Sequence, residues 1–294
     1  MASNPKPRRQ RSRRSDNPRA MRETERDRVI LQLVYDYRIL SQRQLEQLLG
    51  KSRSTVQQSL VRLYDHRYLE RIPVPIVEIG SSPYLYILDK RGIETLQRQG
   101  IEDFTGVPDK DVSLMFMEHT LAINKFRIAM TQACHAAGWS IPIWRTENEI
   151  KADYDKVTIR GKASRPKVIP IVPDSYFVVE APDRGVAHLF LELDRGTMKL
   201  DLFKAKVEGY VNYYKQGGYE KRFKAKGFRV VTVVDTPTEA RVLNLATHTA
   251  QVEGIGRRFW FAHLPTITAE TALTQPIWTV AGDDTPASLF KFEE

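Results

Sequence analysis

The chain has 294 residues, 41% of them hydrophobic, with a formal net charge of +9 at neutral pH and one cysteine. That length suits two domains of ordinary size, each able to bury a core. The lone Cys134 excludes an internal disulfide, no Cys and His cluster at ligand spacing points to structural zinc, and no run of about 18 apolar residues is present to span a membrane.

The charge sits mostly at the start. Residues 1 to 22 carry Lys6, Arg8, Arg9, Arg11, Arg13, Arg14, Arg19 and Arg22 against Asp16, a balance of +7 that leaves +2 for the other 272 residues. A segment this basic, rich also in Pro and Ser, reads as a disordered arm suited to phosphate contact through counterion release. With no apolar stretch behind it the pattern is not that of a secretory signal, so a cytoplasmic protein without membrane contacts is expected.

From Arg22 to Tyr37 the residues Val29, Ile30, Leu33, Val34 and Tyr37 recur at helical spacing and predict a first amphipathic helix. Ser41 caps a second with Leu45, Leu48 and Leu49 inward, and Gly50 ends it in a left-handed turn. A third follows at once from Ser52 or Ser54, burying Val56, Leu60 and Leu63. Two short helices about a glycine turn form a helix-turn-helix pattern. The outward residues of the third helix are Arg53, Ser54, Gln57, Gln58 and Arg62, types that reach phosphates and base edges in a major groove. Segments 72 to 79 and 84 to 88 flank Gly80-Ser81-Ser82-Pro83 as a hairpin, and Asp89 caps a fourth helix ending at Gly100. Three helices, a hairpin and a fourth helix resemble the winged-helix domains of bacterial DNA-binding proteins, here over residues 23 to 100.

Residues 101 to 111 read as a linker. The second domain, 112 to 278, follows in α/β order. It has a helix over 112 to 137, a strand over 141 to 144, a loop or irregular hairpin over 151 to 166, a strand over 168 to 180 and a strand over 186 to 193. A helix over 198 to 216, a strand over 228 to 234, a helix over 237 to 248 and a strand over 258 to 263 complete it. Residues 279 to 294 are expected to be a poorly ordered tail.

The stretch most suggestive of chemistry joins Val172-Pro173-Asp174 to Glu192-Leu193-Asp194. The intervening turn, 181 to 185, centres on residue 183, so an antiparallel hairpin sets Asp174 opposite Glu192, with side chains about 5 Å apart. Asp194, two residues on, shares the face of Glu192. Three crowded acids need a compensating cation. Mg²⁺ or Mn²⁺ suits oxygen ligands and can activate water on a phosphodiester. Ion pairing of Glu192 and Asp194 with Arg195, Lys199 or Lys206 is the alternative.

Pro173-Asp174 followed by Glu192-Leu193-Asp194 resembles the PD-(D/E)xK nuclease core, whose order of elements also corresponds. More narrowly, Pro173 to Phe177, Phe190 to Thr197, Lys206 and Tyr210 resemble the replication-relaxation family, over about residues 25 to 235. That resemblance implies replication and transfer of plasmids or mobile elements, and its MobC-type relaxase relatives imply metal-dependent nicking at a transfer origin. On this reading Asp174 and Glu192 are metal ligands, with Asp194 as a third. Asp194 stands where the general motif has lysine, and Lys206 is the residue able to replace it. Glu147 and Glu149 are further acids before the sheet. The basic stretch Lys215 to Arg229 offers a phosphate contact. Expected partners are double-stranded DNA, other replication or conjugation proteins and a second copy of the chain. The alternative function is a non-catalytic DNA-binding replication or transcription factor on a degenerate nuclease fold.

Overall fold

A computed structural model describes residues 13–74, 84–104, 106–159, 166–182 and 184–290. The chain divides into one unit up to Asn124 and another from Lys125. Among the described residues no helix is long and apolar enough to cross a membrane.

The first unit holds α1 (Glu25–Tyr37), β1 (Leu40–Ser41), α2 (Gln42–Leu49), α3 (Arg53–Asp65), β2 (Leu69–Pro73), β3 (Tyr84–Leu88) and α4 (Lys90–Arg98). Local chemistry sets the helix ends. Thr24 and Asp27 form a reciprocal capping box on α1, and Ser41 and Gln44 form another on α2. Gly50, at φ +58°, supplies the left-handed turn between α2 and α3. The strands make one antiparallel sheet in the order β1-β3-β2. The two-residue β1 has no periodicity of its own and was not foreseen. Second-strand pairing begins at Leu69 and not Ile72, and the expected turn at Gly80 to Pro83 lies outside the described residues.

Residues 13 to 22, expected as part of a disordered arm, dock on this unit. The Arg14 guanidinium lies over the Tyr64 ring, 4.2 Å from its centroid, and donates to Glu70 and Asp89 at 2.7 Å each. Arg71 stacks on the same ring at 4.2 Å. The Ser15 amide donates to Asp65 and the Arg19 carbonyl meets His66. Paired acids with an aromatic ring hold one arginine well, even beside a strongly basic run. In the expected linker, Tyr35 donates to the Asp103 carbonyl and packs edge-on to Phe104.

The division falls within α5 (Leu114–Ala136). The second unit continues with β4 (Ser140–Thr146), α6 (Glu147–Ala152), β5 (Asp155–Ile159), β6 (Lys167–Ile171), β7 (Ser175–Ala181), β8 (Gly185–Asp194), α7 (Leu200–Lys215) and α8 (Gly218–Phe223). β9 (Arg229–Val234), α9 (Ala240–Ala250), β10 (Phe259–His263) and β11 (Thr279–Val280) complete it. The class is α/β. Six strands lie in the order β11-β10-β9-β8-β7-β4, parallel across β8, β9 and β10 and antiparallel towards both edges. Phe190, Val230, Phe259 and Phe261 on one face pack with Phe203, Val207 and Tyr210 of α7 and Val242 and Leu245 of α9. On the opposite face Phe126 of α5 meets Phe177 edge-on at 5.8 Å between ring centroids.

Two expectations are corrected here. The single strand over 168 to 180 is two strands in different sheets: β6 pairs with β5 in a separate hairpin, and β7 joins the main sheet. Pro173, which lacks an amide proton, sits at the break. The residues from 279 onward are not a loose tail as far as they are described, because β11 pairs with β10, Leu289 is buried and Phe290 packs on Trp139.

α7 comes close to β6 at Gly209, where an added Cβ would stand 2.9 Å from Ile169 Cγ2. Gly209→Ala is therefore expected to destabilise the chain by about 1–3 kcal/mol in denaturant unfolding, despite alanine's better helix propensity. A stabilised variant would show that this approach relaxes freely.

Candidate functional site

The β7–β8 hairpin pairs Ser175 with Leu191 and Ala181 with Gly185, so its register sets Asp174, just before β7, opposite Glu192. The Asp174 amide donates to the Leu191 carbonyl at 3.0 Å, and one carboxylate oxygen of Asp174 accepts from the Leu193 amide at 2.6 Å. Glu192 is buried. Its two oxygens receive the Lys206 ammonium and the Tyr210 hydroxyl, which lie one turn apart on the same face of α7. Its register partner on β9, Thr232, is fully buried with a hydroxyl that has no hydrogen-bond partner among the described residues.

Burial raises the Glu192 carboxyl from its ordinary 4.5 to about 7; Lys206 pulls it down and Asp174 pushes it further up. Burial lowers Lys206, but Glu192 and Asp174 outweigh that and leave it raised. Glu147 adds a smaller upward push on Lys206, while pairing with Lys151 at 2.8 Å. Glu149 is used elsewhere, capping α6 through Thr146.

Asp194 shares the strand face of Glu192 but has different partners. Its two oxygens accept from Arg241 at 3.0 Å each in a bidentate pair, and the Gly196 amide adds a bond at 2.8 Å. Arg241 also donates to the Met198 carbonyl. Asp194 thus ties the end of β8 to α9. Its partner is none of the three cations foreseen from sequence. Among the described residues no group of three or more His, Cys, Asp or Glu side chains is arranged to hold a metal ion.

In the first unit, Arg53, Ser54, Gln57 and Gln58 are exposed along α3. Arg62 is not available in the same way, since it donates at 2.7 Å to both oxygens of the fully buried Asp27. Asn124 is also structural, donating to the carbonyls of Tyr37 and Ile39.

Sequence reading missed Tyr210 as a donor and Arg241 as a partner. The first was accessible, since Tyr210 follows Lys206 by four residues. The second was not, because Arg241 reaches Asp194 only through the placement of α9 beyond β9.

These features define a two-unit α/β protein with a buried carboxylate–lysine–tyrosine centre at the end of a central hairpin. The family model described as Replication-relaxation matches residues 31–231. The chain belongs to the replication-relaxation family. No curated protein and no solved structure matches it.

Two outcomes follow from this geometry. Asp194→Asn breaks a buried bidentate pair and strands Arg241, so a loss of about 2–4 kcal/mol is expected in denaturant unfolding. The folded state keeps a proton on Glu192 up to about pH 7, whereas the unfolded chain releases it near 4.5, so this group's contribution declines as pH rises between those values. Glu192→Gln cannot titrate. The stability of the parent relative to that variant should therefore fall by on the order of 2 kcal/mol between about pH 5 and pH 8. A difference independent of pH would mean that Glu192 is ionised throughout.

Proposed function

We propose that this chain is a DNA-binding replication or mobilisation protein that nicks DNA at a plasmid or mobile-element origin. In this reading the first unit is a winged helix-turn-helix that finds the DNA, and the second is a PD-(D/E)xK-type nuclease fold. The observation that carries the chemistry is the contact of Lys206 with Glu192, with Asp174 in register opposite. It gives the two acids a lysine that the strand itself lacks at Asp194.

A nuclease of this kind would take Mg²⁺ or Mn²⁺, and the donor set fits in part. Asp174 and Glu192 supply the one or two carboxylates such an ion takes along with water and phosphate, and the Thr232 hydroxyl, unsatisfied among the described residues, lies beside Glu192 in register. Asp194 does not fit, because Arg241 uses both of its oxygens. When bound, the ion supplies charge stabilisation on the phosphodiester and a more acidic water. Lys206 holds positive charge at the same place, and Tyr210 orients the Glu192 carboxylate by donating to its second oxygen.

A second reading, a non-catalytic DNA clamp on the same fold, is favoured by one observation: both Glu192 oxygens already have protein donors.

Supercoiled plasmid incubated with the protein and Mg²⁺, Mn²⁺ or EDTA separates the two. Open circles formed with metal, absent with EDTA and with Glu192→Gln or Lys206→Met, are expected. Retained DNA binding without open circles would leave the clamp, and absence of DNA binding would remove both. Arg53→Ala or Gln57→Ala should weaken a preferred site by roughly 1–3 kcal/mol while changing random DNA less. Equal losses on both would make α3 a positioning helix only.

A further inference from the structure

We propose that the corner of the second unit formed by the end of α7, α8 and the approach to β9 is a second contact surface, for the phosphate backbone of duplex DNA. The inference rests on the DNA-binding reading above and adds a site to it. Its starting point is the basic stretch Lys215 to Arg229, whose cations divide into two groups in the folded chain. Arg222 is consumed by Asp153 and Asp155, at 2.9 and 3.2 Å. Arg229 is committed to Trp260, Phe290 and the Leu289 carbonyl. Lys215, Lys221, Lys224 and Lys226 remain exposed, and none of them is in an ion pair among the described residues.

The corner that carries these four lysines is built firmly. Tyr219 of α8 stacks on Tyr214 of α7, with ring centroids 5.3 Å apart and planes 11° apart. Arg258 caps the stack with its guanidinium 3.4 Å from the Tyr214 centroid, and donates to the carbonyls of Gly254 and Ile255. The Tyr219 hydroxyl donates to the Lys226 carbonyl, which fixes the backbone beyond α8. Lys215 lies along the Gly254 turn, where an added Cβ would come within 2.9 Å of its ammonium.

Lys224 adds a further sign. It ends α8 at φ +55°, the left-handed conformation in which glycine is the usual residue. A lysine there accepts steric cost, and its side chain is exposed. The aromatic rings beneath are already stacked on one another and on Arg258, so they are not open to unpaired bases. What is offered outward is four ammonium groups against the exposed Glu220, a net positive surface that matches a phosphate backbone and reads no sequence.

The test uses the full chain and a duplex of random sequence, with binding titrated against salt. Lys221→Glu together with Lys224→Glu should raise the Kd at least tenfold near 0.1 M salt and lower the salt slope by about two, at roughly 0.9 per phosphate contact. Lys215→Gln with Lys226→Gln, which only neutralises charge, should shift both in the same direction. Lys156→Glu with Lys167→Glu, exposed on the β5–β6 hairpin to which Arg222 ties the corner, changes net charge equally and should have the smaller effect. Binding by the parent with no difference between the corner and hairpin reversals would overturn the surface and leave the DNA-binding reading intact. Absence of binding by the parent would overturn both. Tighter retention of single strands than of duplex would overturn the assignment to duplex backbone.

Discussion

A buried carboxylate is costly unless donors surround it, and Glu192 meets that requirement from a single helix. Lys206 and Tyr210 both come from α7, one turn apart, while Phe203 and Val207 of the same helix pack on the sheet. The polar centre and the apolar core are therefore fastened by one element. Rotation of α7 about its axis would unsatisfy Glu192 and open the core together. Gly209 permits the close approach that this needs, since any side chain there would strike Ile169 of β6.

The two acids two residues apart on β8 have diverged in role through what stands opposite each. Glu192 faces α7 and keeps its proton to about pH 7, a consequence of burial that the nearby ammonium does not cancel. Asp194 meets a bidentate arginine on α9 and the amide of Gly196, so it reads as a structural tie across the end of the sheet. A strand face that looks uniform in sequence is thus divided between a buried carboxyl held by Lys206 and Tyr210 and a clasp to Arg241.

The first unit shows the same division among cations. Arg53 is exposed on α3, whereas Arg62 on the same helix neutralises the buried Asp27, which in turn caps α1 with Thr24. Arg14, from a segment whose composition suggests disorder, fills a place between Tyr64, Glu70 and Asp89. Basic residues here are not interchangeable. Those that find acids inside the fold become structure, and others, such as Arg53 and Lys221, stay exposed.

Much of this was legible in the chain itself. Helical and strand periods, the caps at Ser41 and Asp89, the glycine turn at Gly50, and the hairpin that pairs Ala181 with Gly185 are short-range features, set by backbone sterics and by alternation of apolar residues. The opposition of Asp174 to Glu192 followed from that symmetry alone, and the replication-relaxation family was readable from the motif around them. Other features depended on distant parts of the chain. The split of one apparent strand into β6 and β7 followed from where the neighbouring strands pair, and the packing of residues 279 to 290 depended on β10 and Trp139. Which arginine meets Asp194 was decided by the β9–α9–β10 crossover, which brings Arg241 to the end of β8. A side chain's spacing in sequence determines the face it occupies, but its partner across that face is determined by packing between elements tens of residues apart, which no local pattern encodes.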